Sequence, residues 1–397
     1  MDIARRLQRI PPYPFLELAR LKEQALGRGV DLIDFGIGDP DQPTPSFIVE
    51  ALVEAARDPA THVYDESGFG IIEFRAAVAD FMRDRFGVEV DPYHEVQSSL
   101  GSKEALAHMV WAYCDPGDIV LVPDPGYTVY RNNTIFCSGV PYPMPLLPEN
   151  GFLPDLKAIP HSVARQARLL FVNYPNNPTG AVAELEFYEQ LVRFAQDWDV
   201  IICQDCAYSE VFYDGYRPHS ILEVPGAKDV AIEFHSLSKT FNMTGWRVGW
   251  AVGGAKIVAA LSKLKSNVDS NLFMAIERAA TVGLGRFAEF AEERRRIYQE
   301  RRDAAIDGLN SLGWQLDKPR ATFYIWAPVP SAHTSESFTK ALLTECGILA
   351  TPGLAYGDHG EGFFRLSLTL KALDPVARIN EAIQRIGQKL GTGLWED

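Results

Sequence analysis

Four short apolar runs in the middle of the chain each end on residues that cap, turn or bind: DIVLVPDPGY, RLLFVNYPNNPTG, DVIICQDCAYSE and DVAIEFHSLSK. Amphipathic stretches such as ELEFYEQLVRFAQDW lie between them. Runs this short and this apolar have the pattern of strands buried on both faces, and strands that alternate with helices build a largely parallel sheet covered by helices. Ligands of such sheets bind beyond the carboxyl ends of the strands. The polar residues that close these runs, Asn177, Asp205 and Lys239 among them, are therefore expected at one edge of the sheet. A further unit, EVQSSLGSKEALAHMVWAYC, reads as strand, glycine turn and helix.

After about residue 285 the texture changes. AEFAEERRRIYQERRDAAIDGLNSLG reads as a long amphipathic helix whose charges are expected to form a solvated face. ATFYIWAPV and FFRLSLTL then read as strands of a smaller α+β unit, which the first 44 residues, lacking the strand–helix alternation, are expected to join. A chain of 397 residues accommodates two domains. The reading is a large domain over 45–285 and a small domain formed by 1–44 with 286–397.

Charge and cysteine usage narrow the function classes. The formal net charge is −14, with no basic run, which argues against nucleic-acid and anionic-membrane partners. Five cysteines, an odd count, argue against a disulfide framework and for a reducing compartment. Cys203 and Cys206 form a CxxC without a second pair, which reads as a strand end rather than a metal or redox site. The opening MDIARRLQRIPPYPF has no apolar core of a signal peptide, and no stretch reaches membrane-spanning length, so a cytoplasmic location is expected. No GxGxxG follows a strand, which weighs against nicotinamide chemistry.

The chemistry concentrates in HSLSKTFNMTGWRVGW, residues 235–250. A lone lysine beside a turn is ordinarily a surface residue, but Lys239 sits among Leu237, Phe241 and Met243. An apolar setting lowers a lysine's pKa and frees its amine as a nucleophile. Ser236, Ser238 and Arg247 are the residue types that hold a phosphate. Gly101, Ser102 and Lys103 open a helix after a strand, and helix N-termini bind anions. Asp205 closes another strand; alone it reads as a turn former, but beside such a lysine a buried carboxylate keeps a pyridine nitrogen protonated. Tyr208 lies three residues on and is a donor for a phenolic oxygen, or else a core aromatic. Asn177 either forms an Asx-turn or reaches a ligand, and Arg365 in an apolar strand needs an anion, either an internal acid or a substrate carboxylate. A carbonyl, a phosphate, a pyridine nitrogen and a phenolic oxygen together describe pyridoxal phosphate.

These residues resemble the class I and II aminotransferases, the fold-type I pyridoxal-phosphate enzymes, over essentially the full length; PNNPTG, QDCAYSE and SLSKTFNMTGWRVG are the specific motifs. The resemblance implies a mainly parallel seven-stranded sheet between helices plus a smaller α+β domain, in a homodimer with shared sites. At matching positions, it implies that Lys239 bonds to the cofactor and moves the proton, and that Asp205 faces the ring nitrogen. Tyr208 and Asn177 would contact the ring oxygen, and Tyr127 would stack on the ring. Gly101, Ser102, Lys103, Ser236, Ser238 and Arg247 would surround the phosphate, joined by Tyr64 from the other subunit. Arg365, helped by Gly38 and Asn177, would bind the substrate carboxylate. Within the family the phrasing of RRLQRIPPYPFLEL, ENGFLPDLKAIP and EFHSLSKTFNMTGWR is nearest the branch acting on LL-diaminopimelate in lysine biosynthesis, which would bring Tyr13 to the substrate. KLKSNVDSN, residues 263–271, has no arginine for a second carboxylate; Ser266, Asn267 and Asn271 are its candidates for a distal ammonium-and-carboxylate group. Aspartate, alanine, glutamate and N-succinyl-diaminopimelate are the alternative donors, and a pyridoxal-phosphate C–S lyase the alternative chemistry.

Overall fold

The computed structural model describes residues 2–11 and 14–391. Its main sheet has seven strands, in the spatial order Val96–Ser99, Gly249–Gly253, Ala231–Ser236, Ile201–Asp205, Ala167–Asn173, Ile119–Asp124 and Val140–Pro145. All neighbouring pairs are parallel except those of Gly249–Gly253, which runs antiparallel to both its neighbours. The apolar runs read from the sequence are the central strands. In the middle one, Ile202, Cys203, Gln204 and Asp205 are all buried, as a strand covered on both faces requires.

Local sequence explains how the strands are joined. Helix Leu185–Trp198 buries Phe187, Tyr188, Leu191, Val192 and Ala195 along one stripe. It stops at Asp199, whose left-handed φ of 55° turns the chain into the next strand. The register sets Asn173 opposite Asp205 and Asp205 opposite Phe234, so the ends of three parallel strands are level and their polar residues open onto one crevice.

A second core gathers Ile33, Phe35, Tyr298, Leu309, Phe323, Phe338, Phe364 and Ile386. It lies on an antiparallel sheet of Thr351–Pro352, Phe363–Ser367 and Tyr324–Pro328. Ile33–Asp34 pairs in parallel with Ile348–Leu349, which ties the beginning of the chain to its last quarter.

Helix Phe287–Ser311 departs from the expected solvated face. Arg294, Arg301 and Arg302 on it are buried. The helix borders both cores, Phe287 and Phe290 packing on the first and Tyr298, Ala305 and Leu309 in the second, so one of its charged stripes turns inward. Each arginine is met by oxygens of the chain, those of Asp214 at the surface. Arg301 makes a two-pronged pair with Asp41 at 2.7 and 2.8 Å, and Arg302 meets Asp214 at 2.5 Å. Arg294 donates to the backbone carbonyls of Lys239 and Glu210. Among the described residues no helix is long and apolar enough to cross a membrane.

Candidate active site

The crevice at the strand ends is a cavity of about 440 Å³. Lys239 enters it from the short helix Leu237–Thr240, which follows strand Ala231–Ser236 directly and is capped by the Ser236 side chain accepting from the Ser238 N–H. The lysine is half-buried, and its Nζ donates to the Gly38 carbonyl at 2.7 Å. Burial lowers its pKa to about 8; the Asp39 carboxylate opposes that shift, and the positive charges of Arg365 and Arg247 add to it. The amine thus gives up its proton more readily than an ordinary lysine and lies at the cavity wall, as a nucleophilic lysine requires.

Asp205 forms part of the cavity floor and is 4 % exposed. One carboxylate oxygen accepts from the Tyr130 hydroxyl at 2.7 Å, the other from the Ala207 N–H at 3.2 Å. Burial raises its pKa to about 6, against the opposing pull of the Tyr130 hydrogen bond. Tyr208, one turn further on, shares a hydroxyl–hydroxyl hydrogen bond of 2.8 Å with Tyr324.

At the opposite wall, Ser102 and Lys103 are the first residues of helix Ser102–Tyr113, which begins at Gly101 without a side-chain cap. Gly101 has φ +74°, and a Cβ there would stand 2.4 Å from Arg247 Nη2, so only glycine lets the guanidinium close over the helix start. Arg247 donates to the carbonyls of Thr244 and Leu100 at 2.8 and 3.2 Å and reaches Ser238 Oγ at 3.5 Å. A cation that meets only neutral oxygens, beside the N–H groups of an uncapped helix start, forms a cradle for an anion.

Arg365 closes the cavity from strand Phe363–Ser367. It is 1 % exposed, and donates to Asn177 Oδ1 and to the Gly36 carbonyl, each at 2.8 Å. Its guanidinium lies 4.2 Å from the centre of the Tyr324 ring. Gly38 is required here as well, because a Cβ would fall 2.0 Å from the Tyr324 hydroxyl.

One cavity therefore brings together Lys239, Asp205, Tyr208, Asn177, Tyr127, Ser102, Lys103, Ser236, Ser238, Arg247, Gly38 and Arg365, with Gly101 behind Arg247. Tyr64 is not among them; it is 84 % exposed on the surface of its own chain. Tyr13 lies outside the described residues. Ser266, Asn267 and Asn271 do not line the cavity of their own chain either. Ser266 and Asn267 donate to the Lys263 carbonyl, and Asn271 donates to Asp65 at 2.9 Å. Sequence reasoning missed Tyr324, Tyr130 and Asp39. Tyr324 sits in a run that reads as plain strand, and Tyr130 inside a helix that reads as core.

The residues fit pyridoxal phosphate: the anion cradle suits its phosphate, the buried Asp205 suits a protonated ring nitrogen, and Lys239 stands between them with a reactive amine.

Comparison with known proteins identifies the family. Residues 30–386 match the family model described as aminotransferase class I and II. The chain is 52 % identical to an LL-diaminopimelate aminotransferase of Moorella thermoacetica, over 98 % of this chain and 99 % of that protein. It is 50 % identical to an LL-diaminopimelate aminotransferase of Aquifex aeolicus, over 97 % of this chain and 98 % of the other. Among solved structures, substrate-bound BacF from Bacillus subtilis superposes with a TM-score of 0.93 at 36 % identity, covering 98 % of both chains. A mutant aspartate aminotransferase of Thermus thermophilus superposes with a TM-score of 0.89 at 30 % identity, over 98 % of this chain and 99 % of that one.

Proposed function

The chain belongs to the class I and II aminotransferases, and from that premise we propose that it moves the amino group of LL-diaminopimelate to 2-oxoglutarate, with pyridoxal phosphate held in the cavity. The reading rests on one observation above the others: a reactive lysine, a buried carboxylate and a buried arginine share one cavity in a chain about half identical, along nearly its whole length, to proteins named for that reaction.

When bound, pyridoxal phosphate supplies a carbonyl for an amine and a protonated ring that draws electrons away from the carbon being deprotonated. The chain's own residues supply the rest. Arg247, Ser236, Ser238 and the start of helix Ser102–Tyr113 hold the phosphate, and Tyr127 covers the ring. Asp205 keeps a positive ring nitrogen paired in a site too buried for water to do so. Tyr208 and Asn177 donate toward the ring oxygen. Arg365 fixes the substrate α-carboxylate by its planar fork. Lys239 Nζ, as a free amine, would accept the proton from the substrate α-carbon and deliver it to the carbon that was the cofactor's carbonyl. Two half-reactions of this kind give ping-pong kinetics.

A homodimer accords with this reading. Val63, Tyr64 and Phe273 are exposed by 65 %, 84 % and 45 %, and the His62 and Phe273 rings lie 6.1 Å apart, so these residues make one apolar surface for a second copy to cover. In that dimer we assign Tyr64 to the neighbour's phosphate cradle. We assign residues 45–285 to a cofactor-binding domain and 1–44 with 286–397 to a small domain, in a cytoplasmic enzyme. The test is the visible spectrum of the purified protein with pyridoxal phosphate, before and after LL-diaminopimelate. Loss of the visible band of the cofactor joined to Lys239, and its return with 2-oxoglutarate, is expected. Release of pyruvate and ammonia from a cysteine S-conjugate without any oxo-acid acceptor identifies a lyase instead.

A further inference from the structure

Tyr130 lies in helix Thr128–Phe136 and is 1 % exposed. Its ring is stacked on Phe171, with centroids 4.9 Å apart and planes 14° from parallel, and meets Tyr127 edge-on at 5.8 Å. A phenylalanine would fill this space as well. What tyrosine adds is the hydroxyl, and the hydroxyl donates to Asp205 Oδ2 at 2.7 Å. We propose that Tyr130 is a positioning residue for the transamination chemistry, holding the Asp205 carboxylate in its charged form and in one rotation so that it can pair a cationic ring nitrogen in the cavity. This rests on the cofactor reading given above.

The geometry carries the argument. Two aromatic contacts fix the Tyr130 ring, so the position of its hydroxyl oxygen is set by packing rather than by the hydrogen bond. Asp205 is held at three further points: Oδ1 accepts from the Ala207 N–H, the Asn173 amide donates to the Asp205 main-chain oxygen at 2.8 Å, and the strand register fixes the backbone between Asn173 and Phe234. The other titratable groups around it are His235 on the next strand and its chain neighbours Cys206 and Tyr208. Burial holds Cys206 and Tyr208 uncharged, and His235 is already engaged by Glu233 at 3.0 Å. The Tyr130 hydroxyl is itself pushed well above its usual range, first by burial and then by the Asp205 charge, so it stays a donor at every working pH. Burial places Asp205 at about 6, near neutral pH, where one donor decides how completely it is ionised.

The test begins in cofactor-free protein, with carboxyl carbons labelled and the Asp205 signal identified by its loss in Asp205→Asn. Tyr130→Phe is expected to raise the proton affinity of Asp205 about tenfold, the scale of one hydrogen bond to a charged group. Replacing Tyr130 with 3,5-difluorotyrosine, a stronger donor, is expected to lower it. In the same variants, affinity for pyridoxal phosphate at about pH 5, below both midpoints, should fall about tenfold with Tyr130→Phe and be kept with the fluorinated tyrosine, whereas at about pH 8, where Asp205 is ionised either way, it should change little. A midpoint unchanged in Tyr130→Phe, or moved in the same direction by both replacements, overturns the proposal and leaves Tyr130 as packing. A midpoint shifted in Tyr130→Phe, where the wild type itself does not bind pyridoxal phosphate, supports the Tyr130–Asp205 coupling and overturns the cofactor reading instead.

Discussion

Arg365 and Asn177, 188 positions apart in sequence, meet at 2.8 Å across the cavity, the arginine donating to the amide oxygen. The contact joins the antiparallel sheet of the second core to the loop that follows a main-sheet strand, so the proposed carboxylate clamp is assembled only when the two parts of the chain come together. Arg365→Lys keeps a charge but loses the planar fork that reaches Asn177 and the Gly36 carbonyl together. We expect kcat/KM to fall about a hundredfold for every amino donor and oxo acid alike, equivalent to ~2.7 kcal/mol. Asn177→Ala should cost about tenfold by the same measurement. A loss confined to one substrate makes Arg365 a reader of side chains.

Lys239 is expected to be the single covalent attachment point. Borohydride treatment of the pyridoxal-phosphate form should fix the cofactor to the peptide containing Lys239, and Lys239→Ala should abolish that labelling. Because burial brings its amine to about 8, reductive methylation of cofactor-free protein should reach Lys239 first, with a midpoint near pH 8 instead of the usual ~10.4 of lysine. The Asp39 carboxylate works against that shift, so Asp39→Asn should move the midpoint lower still. Mass spectrometry of methylated peptides across pH checks both arms.

The strand–helix alternation and the strand ends were legible because burial on both faces demands unbroken apolar runs, and the polar residues that break them stand out. Lys239, Asp205 and Arg365 were legible for a related reason: each is an ionisable residue in an apolar setting, a cost that only a ligand or partner offsets. Tyr324 and Tyr130 were not, because a tyrosine inside an apolar stretch has the pattern of core packing, and only tertiary geometry shows where its hydroxyl points. The buried arginines of helix Phe287–Ser311 failed for the opposite reason. A charge-rich helix reads as solvated unless its acceptors are known, and Asp41 and Asp214 lie more than eighty residues away along the chain.

Asp205 separates stability from function. Its folded-state pKa of about 6 is raised above the ordinary 3.8, so the folded protein holds that proton more tightly than the unfolded chain does. Stability from this group is therefore present at low pH and lost as pH rises from about 4 through about 6, by roughly 3 kcal/mol at ~1.36 kcal/mol per tenfold. Cofactor-free Asp205→Asn, which buries a neutral amide, should melt higher than wild type at pH 7–8 and lose that advantage near pH 4. The same variant, loaded with pyridoxal phosphate, should lose about a hundredfold or more in kcat, because an amide cannot balance a ring cation. Calorimetry at the two pH values and steady-state kinetics check the two halves separately.

The donor is decided by what meets the far end of the substrate. KLKSNVDSN offers no arginine fork, and its polar residues are used within the chain: Asn271 ties to Asp65, and Lys265 is buried between Glu104 and Asp269 at 2.8 Å from each. Asp65 also accepts from Ser67 and from the Gly70 N–H, so the loop that carries exposed Tyr64 is pinned to the segment carrying Asn271. The proposed donor carries both an ammonium and a carboxylate at its far end. Sites built to hydrogen-bond such a group reject analogues lacking it far more strongly than an apolar pocket rejects an added methylene. At fixed 2-oxoglutarate, LL-diaminopimelate should therefore exceed alanine, aspartate, glutamate and N-succinyl-diaminopimelate in kcat/KM by about tenfold or more. Asn271→Ala, which frees the loop, should narrow that margin chiefly through KM for LL-diaminopimelate while leaving the spectrum of the bound cofactor unchanged. If aspartate or alanine outruns LL-diaminopimelate tenfold, the substrate assignment fails and the aminotransferase family remains.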